Sequence, residues 1–233
     1  MKKRLISILL LCCMVLTLLP TTVLAADGPM DTIPKYDVSI DVYNRTSDIS
    51  IKDSRSYYIY SSVPDKLRDT WAWDKKIFIK GDKTAPHVFI DGVNIEMSPS
   101  SKGPAIELNK KASAYIYFIG KNSSLQGADG RAAIQKNRSE GQLYVLARAG
   151  TTVTCKGGHR AAGIGGSWAI RNIGDSMFNM DMYGHGVNMH FGSQSNPDYW
   201  GGTINATGGE YGAGIGAGSW GHSGHSGNTI HGG

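Results

Sequence analysis

Residues 152–166 read TVTCKGGHRAAGIGG, and residues 203–217 read TINATGGEYGAGIGA. At an offset of 51 residues (203 minus 152), the two phrases share a Thr, a Gly-Gly pair, an Ala and a Gly-Ile-Gly turn. Each phrase then reaches a Ser-Trp pair, Ser167-Trp168 or Ser219-Trp220. A strand-like opening, a glycine stop and a small-residue turn that recur in this way predict stacked coils rather than one globular core.

The isoleucine of this turn has counterparts earlier in the chain. Ile106, Ile134, Ile164 and Ile215 each follow a small residue, at spacings of 28, 30 and 51 residues (134 minus 106, 164 minus 134, 215 minus 164). The last interval fits either two coils or one coil with an insertion. Residues 169–198 are rich in methionine and match the repeat poorly, which favours an insertion near them.

Short apolar segments, punctuated by Gly, Asn, Asp-Gly or Ser-Pro, predict many brief strands and one helical turn within 64–70. The predicted strands cover 36–43, Ile49–Ile51, Tyr57–Tyr60, Ile77–Ile79, Val88–Ile90, Val93–Ile95, Ala114–Ile119, Leu143–Leu146 and Thr151–Cys155. This pattern predicts an all-β fold, a β-solenoid whose coils stack Ile and Val inward and place glycine at the corners. A β-sandwich also uses many short strands, but it gives no reason for one turn phrase to recur.

The N-terminus has the three parts of a secretory signal peptide, which we assign to residues 1–25. Lys2, Lys3 and Arg4 precede an apolar run, and Val23-Leu24-Ala25 forms a small-residue cleavage site. The apolar run from Leu5 to Leu19 is shorter than the about 20 residues that span a bilayer. Export is therefore expected, rather than anchoring by this segment.

Removal of this segment changes the charge and the cysteine content of the chain. The formal charge falls from +5 to +2 with the loss of three cations, and Cys155 is the one cysteine that remains of three. No internal disulfide can form, and the alignment of Cys155 with Ala206 predicts a small buried residue. The modest charge and the lack of a basic stripe argue against nucleic acid as a partner.

The mature chain, residues 26–233, is expected to form a single domain of the solenoid type. Its final residues, GNTIHGG (227–233), look like the opening of a further coil. An open last coil would need a cap, so we expect the sequence to be truncated at the C-terminus. The missing region would be the place for attachment to a cell surface.

Four stretches resemble secreted bacterial proteins of the carbohydrate-binding β-helix type. They read HVFIDGVNIEMSPSSKGPAIEL (87–108), AYIYFIGKNSSLQGADGRAAI (114–134), TVTCKGGHRAAGIGG (152–166) and GTINATGGEYGAGIGAG (202–218). The resemblance covers roughly residues 36–233 and implies a right-handed parallel β-helix, related to the pectate-lyase fold but without catalysis. It implies a secreted or surface-attached protein that binds a polysaccharide or cell-wall glycan. Residues 169–198 depart from the family pattern.

The residues that could support catalysis or metal binding are sparse in the C-terminal half. After residue 141 the acidic residues are Asp175, Asp181, Asp198 and Glu210, and none repeats at coil spacing. A calcium-dependent lyase needs six to eight oxygen ligands around its ion, and a hydrolase needs paired carboxylates. No catalytic residues or cofactor are therefore assigned; calcium stays open. His222 and His225 form a weak metal motif that is better interpreted as polar turn residues.

The aromatic residues carry the functional hypothesis. Flat rings with a polar edge stack well on the apolar faces of sugars. The candidate carbohydrate-binding residues are Trp168, Trp220, Trp200, Tyr211, Trp71 and Trp73. The alternative is that these rings pack under loops or against the coils. Two other functions stay open: a polysaccharide lyase or glycoside hydrolase, and a structural stalk of a larger surface protein.

Overall fold

The computed structural model describes residues 34–81, 84–98, 103–109, 111–136, 140–168, 186–193, 199–219 and 229–230. The predicted signal peptide lies outside these residues. Within them the chain forms sixteen strands and one short 3-10 turn, Asp65–Leu67, inside the predicted segment 64–70. The strands are β1 (Val38–Asp41), β2 (Ile49–Ile51), β3 (Ser56–Tyr60), β4 (Ile77–Lys80), β5 (His87–Asp91), β6 (Asn94–Glu96), β7 (Ile106–Asn109), β8 (Ala114–Phe118), β9 (Ser123–Gln126), β10 (Ile134–Lys136), β11 (Leu143–Lys156), β12 (Ile164–Gly165), β13 (Met189–Phe191), β14 (Gly201–Thr207), β15 (Ile215–Gly216) and β16 (Thr229–Ile230).

The fold is all-β, and the paired strands of the described residues run parallel in two sheets. The ten-stranded sheet holds a first ladder, β1-β3-β5-β8-β11-β13-β16, and a second ladder formed by β6, β9, β11 and β14. The six-stranded sheet has the order β2-β4-β7-β10-β12-β15. The long strand β11 belongs to both ladders, because its residues 143–147 pair with β8 and its residues 153–156 pair with β9. The sequence predicted two strands there.

A column of isoleucines lies at the centre of the six-stranded sheet. Its members are register partners in successive strands: Ile49, Ile77, Ile106, Ile134, Ile164 and Ile215. The first five are at most 2% exposed, and Ile215 is partly buried against the same core. Full burial of such a side chain stabilises a fold by roughly 1.5–3 kcal/mol. The isoleucine spacing in the sequence is therefore the spacing of parallel neighbours.

The long interval between Ile164 and Ile215 contains no complete extra set of strands among the described residues, because these two residues pair directly. Within the interval, β13 continues the first ladder through Leu143 and Met189, and β14 continues the second. The strand β13 thus lies inside 169–198, the stretch that was predicted to hold an insertion. Residues 169–185 and 194–198 lie outside the described residues.

The interior contains one thiol and one amine. Cys155 is fully buried and pairs in register with Ala206, as the alignment of the two phrases predicts. Burial raises the pKa of the Cys155 thiol. Lys136 ends an apolar column, Ile51–Ile79–Leu108–Lys136, and is 2% exposed. Burial lowers the pKa of Lys136 to about 8, and its Nζ donates a hydrogen bond of 3.1 Å to the Glu140 carbonyl.

The repeated Gly-Ile-Gly phrase is explained by backbone geometry. Gly165 has φ 129°, a conformation that residues with a Cβ rarely adopt. A Cβ at this position would also overlap the carbonyl oxygen of Gly216 in the next strand. The glycines of this phrase therefore allow the backbones of neighbouring strands to approach closely. The phrase is buried or half-buried and does not itself form a binding surface.

Candidate functional site

Two bulky residues occupy a strained backbone position at the turn that follows the second ladder. Aligned on the isoleucine column, Gly130, Arg160 and Tyr211 are equivalent, and their φ angles are 72°, 62° and 64°. The Gly130 amide donates to the His159 carbonyl, and the Arg160 amide donates to the Glu210 carbonyl, so the three turns are hydrogen-bonded neighbours. A residue with a Cβ costs about 1–2 kcal/mol in this left-handed conformation. Strain of this kind is concentrated at functional sites.

Trp168 is fixed over the glycine of this series. Its amide donates a 2.9 Å hydrogen bond to the Gly130 carbonyl. A Cβ built on Gly130 would lie 3.4 Å from Cε3 of the Trp168 ring, so the ring covers the face where a side chain would stand. The absence of a side chain at residue 130 thus creates the place that the indole ring occupies.

Arg160 lies between two aromatic rings. Its Cζ is 4.9 Å from the centroid of Trp168 and 5.9 Å from the centroid of Tyr211. Both distances fall within the range of cation–π attraction. Tyr211 is 71% exposed, the largest exposure among the large hydrophobic side chains of the described residues. The Arg160 side chain forms no hydrogen bond or ion pair with the described residues, and its Nε is buried without a partner there.

A histidine and a carboxylate complete the corner site, which we define as His159, Arg160, Trp168, Glu210 and Tyr211. Nδ1 of His159 lies 3.5 Å from Oε2 of Glu210, and both side chains are partly exposed. The His159 ring meets the Trp168 ring edge-on, with centroids 6.5 Å apart and planes at 78°. The corner site therefore presents exposed aromatic surface, one unpaired guanidinium and one His–Glu pair.

The structure brings together two of the six predicted binding residues, Trp168 and Tyr211. Trp200 lies elsewhere, in the turn before β14, and its ring packs against Tyr117 of the first ladder. Trp71 is half-buried and meets the Tyr43 ring edge-on at 5.4 Å. Trp73 is 3% exposed and its Nε1 donates to the Arg45 carbonyl, so its ring is unavailable to a glycan and its assignment to the binding residues is corrected. Trp220 lies outside the described residues.

A second aromatic group, which sequence reasoning missed, covers the outer side of the first ladder. We call it the aromatic face; it consists of Tyr58, Tyr60, His87, Phe89, Tyr115, Tyr117, Tyr144, His190 and Trp200. Four of its rings stack in register, with centroid distances of 4.7 Å for His87–Tyr115, 4.5 Å for Tyr115–Tyr144 and 4.5 Å for Tyr144–His190. The sequence shows aromatic residues at alternate positions within these strands. Which rings stack on one another depends on the register between strands, which the sequence does not show.

The stacked rings of the aromatic face present edges rather than faces. Their planes are within 16° of parallel. At these centroid distances, two rings in the same plane would overlap, so the rings must stack face to face. The faces of each inner ring are therefore covered by its neighbours. Trp200 differs, because it is tilted by 39° against Tyr117 and is nearly perpendicular to Tyr199. Burial raises the pKa of Tyr117 to about 12.

A polar groove of about 590 Å³ lies beside the second ladder. Arg68, Lys121, Ser124 and Thr154 are among the residues that line it. Its two cations are already paired with one carboxylate, because Lys121 Nζ and Arg68 Nε lie 3.0 Å and 3.4 Å from Oδ1 of Asp65. The Arg68 guanidinium also donates to the carbonyls of Gly92 and Val63. These contacts indicate that the cations hold the wall of the groove together.

The described residues contain no group of three or more His, Cys, Asp or Glu side chains placed to hold a metal ion. His222 and His225 of the predicted metal motif lie outside these residues. In the same part of the chain, we find no helical stretch with the length and apolar character that a bilayer crossing demands.

Comparisons with protein-family models, with curated proteins and with solved structures give no match to this chain. Function is therefore argued from the corner site and its surroundings.

Proposed function

We propose that this protein is a secreted, non-catalytic polysaccharide-binding protein built on a right-handed parallel β-helix, and that the corner site holds the glycan. The pairing of strands supports the β-helix. Strands β5, β6 and β7 pair in order with β8, β9 and β10, as successive three-strand coils would. The sequence of residues 1–25 supports export of bacterial type.

One observation carries the binding proposal: Tyr211 is exposed while its backbone is held in a strained conformation. At φ 64° a tyrosine carries backbone strain that glycine would not, and its ring stays 71% exposed beside the Arg160 guanidinium at 5.9 Å. The ring offers an apolar face and a hydroxyl, a combination suited to the apolar faces and hydroxyl groups of sugars. Trp168 supplies a second ring, and Arg160 supplies hydrogen-bond donors between the two.

The strain at Tyr211 allows a test that separates binding from folding. Tyr211→Gly removes the ring and relaxes the backbone, so we expect loss of polysaccharide binding by about tenfold or more without loss of stability. Tyr36→Ala is the control, since Tyr36 is also an exposed ring, 39% accessible, but stacks on Tyr58 in a different region. Affinity electrophoresis against a panel of soluble polysaccharides, with thermal unfolding in parallel, measures both properties.

The proposal fails if Tyr211→Gly binds every polysaccharide as the unaltered chain does. It also fails if the mature chain, residues 26–233, binds none of them. Equal losses in Tyr211→Gly and Tyr36→Ala would instead assign the effect to general surface change.

A structural role is the second candidate, and the aromatic face favours it. Continuous stacking from His87 to His190 ties together four strands of the first ladder without exposing ring faces. A structural stalk would need such stacking contacts between strands, and it would not need to bind a ligand. The same binding panel separates the two candidates, because a stalk retains no polysaccharide.

A further inference from the structure

We infer that the polysaccharide bound at the corner site carries acidic groups, carboxylate or sulfate, and that Arg160 binds them. This inference rests on the proposed function and specifies the class of sugar polymer. Its basis is the position of Arg160 beside Trp168 and Tyr211, where its side chain forms no hydrogen bond or ion pair with the described residues.

The position of Arg160 is determined by the fold before any ligand arrives. Its backbone is held at φ 62°, and its guanidinium lies 4.9 Å and 5.9 Å from the two ring centroids. Flanking rings restrict an arginine side chain, so less conformational entropy is lost when a ligand binds. A guanidinium presents a planar fork of donors that matches a carboxylate or sulfate, and it stacks on aromatic rings at the same time.

The neighbouring carboxylate does not neutralise Arg160. Glu210 precedes Tyr211, but its Oε2 lies within 3.5 Å of His159 and forms no ion pair with Arg160. The polar groove shows the opposite arrangement, since both Arg68 and Lys121 there share Asp65. Among the described residues, the cation of the corner site therefore has no carboxylate partner, whereas both cations of the groove have one.

The corner as a whole has a balanced charge. Asp129 occupies the turn position equivalent to His159 and Glu210 one strand earlier, and Arg131 follows at the same turn. In formal charge, Arg131 and Arg160 offset Asp129 and Glu210. An acidic polymer would therefore be recognised through direct contact with Arg160 rather than through a broad positive field. The affinity should then fall with rising salt concentration, but only by the small amount expected for a single ionic contact.

The experiment measures binding of the mature chain to polygalacturonate, dextran sulfate and uncharged dextran, by affinity electrophoresis and titration calorimetry. We expect the two acidic polymers to bind more tightly than dextran. Arg160→Gln should reduce acidic binding by about tenfold or more, as the loss of a hydrogen bond to a charged group requires, and should reduce dextran binding by much less. Both residues carry a Cβ, so the backbone strain at 160 is unchanged, and thermal unfolding checks the fold.

Lys121→Gln is the matched control, because it removes one positive charge from a residue that is already paired with Asp65. It should leave acidic binding within about twofold of the unaltered chain if contact rather than net charge decides affinity. Polyphosphate controls for a bare polyanion, and it should bind more weakly than the acidic glycans because it offers no sugar face to the rings.

Three results would overturn the inference: dextran binding equal to polygalacturonate binding, unchanged acidic binding in Arg160→Gln, or polyphosphate binding as tight as that of the acidic glycans. The first two leave the proposed function standing if Tyr211→Gly still abolishes glycan binding. Failure of the unaltered chain to bind any glycan removes the proposed function as well. A preference between polygalacturonate and dextran sulfate identifies the acidic group.

Discussion

The corner site and the aromatic face use the same kinds of ring for different ends. In the aromatic face, rings on successive strands stack at 4.5–4.7 Å and cover one another. At the corner site, Trp168 and Tyr211 are separated by a guanidinium, and Tyr211 is 71% exposed. Aromatic residues in register therefore do not by themselves make a sugar-binding surface. What matters is whether a neighbouring strand supplies a ring that covers the face.

Tyr115→Ala should have the largest effect on stability and tests the role of the aromatic face. The Tyr115 ring lies between His87 and Tyr144, so its removal breaks the stack on both sides. We expect the free energy of unfolding to fall by about 3 kcal/mol, measured by urea denaturation. Polysaccharide binding by the folded fraction should be unchanged. Loss of binding in a folded Tyr115→Ala protein would place the aromatic face in the binding surface.

A second prediction concerns the buried cation Lys136. The folded pKa of Lys136 is about 8, below the ordinary value of 10.5. Between these values the unfolded chain binds more protons, so the contribution of Lys136 makes stability rise with pH through this window. Below about pH 8 the penalty is complete. Replacement by Met should remove it and raise the free energy of unfolding by about 2 kcal/mol at pH 7.

Urea denaturation of both proteins at intervals between pH 7 and pH 9.5 checks this prediction. The difference in free energy of unfolding between Lys136→Met and the unaltered chain should shrink as the pH rises. Because all other titrating groups are common to both proteins, this difference reports on Lys136 alone. A difference that stays constant with pH would assign the gain to packing alone.

Gly130→Ala should have the smallest effect on stability and tests how Trp168 is positioned. The added Cβ takes φ 72° and meets the Trp168 ring at 3.4 Å. We expect a loss of about 1 kcal/mol from the strained backbone, and a slightly weaker affinity for glycan because the added methyl group contacts the ring and restricts its adjustment to a ligand. Gly150→Ala is the control, since Gly150 has φ 80° but nothing within 4 Å of a built Cβ. Equal affinities of the two variants would exclude a role for the position of Trp168.

Several elements of the structure were readable from local pattern. The isoleucine spacing indicated the register of the six-stranded sheet, because in this column the same residue type follows the same small-residue turn in neighbouring strands. Polar strands were missed. Strand β9 has the sequence SSLQ, which shows one buried apolar residue and no clear alternation. It is a strand because β6 and β11 pair with it on either side.

The candidate site was only partly predictable for a similar reason. Trp168 and Tyr211 were identifiable as aromatic residues beside glycine turns. Trp73 was identified as an aromatic residue in a polar loop, but it is buried. Arg160 carried no signal, since an isolated arginine in a turn is usually solvated. The role proposed for Arg160 depends on the rings of Trp168 and Tyr211, and on Glu210, whose carboxylate lies beside His159 instead.

By itself, the sequence determined that the chain forms repeated β-structure with parallel isoleucine neighbours and a buried Cys155. These properties follow from side-chain volume, alternation and glycine geometry, which act between residues close in sequence or at a fixed spacing. Only the tertiary structure decided which aromatic rings are covered and which stay exposed. That outcome depends on the residues of the adjacent strand, some 30 or 50 residues away: the Tyr115 ring is stacked between His87 and Tyr144, whereas Tyr211 stays 71% exposed.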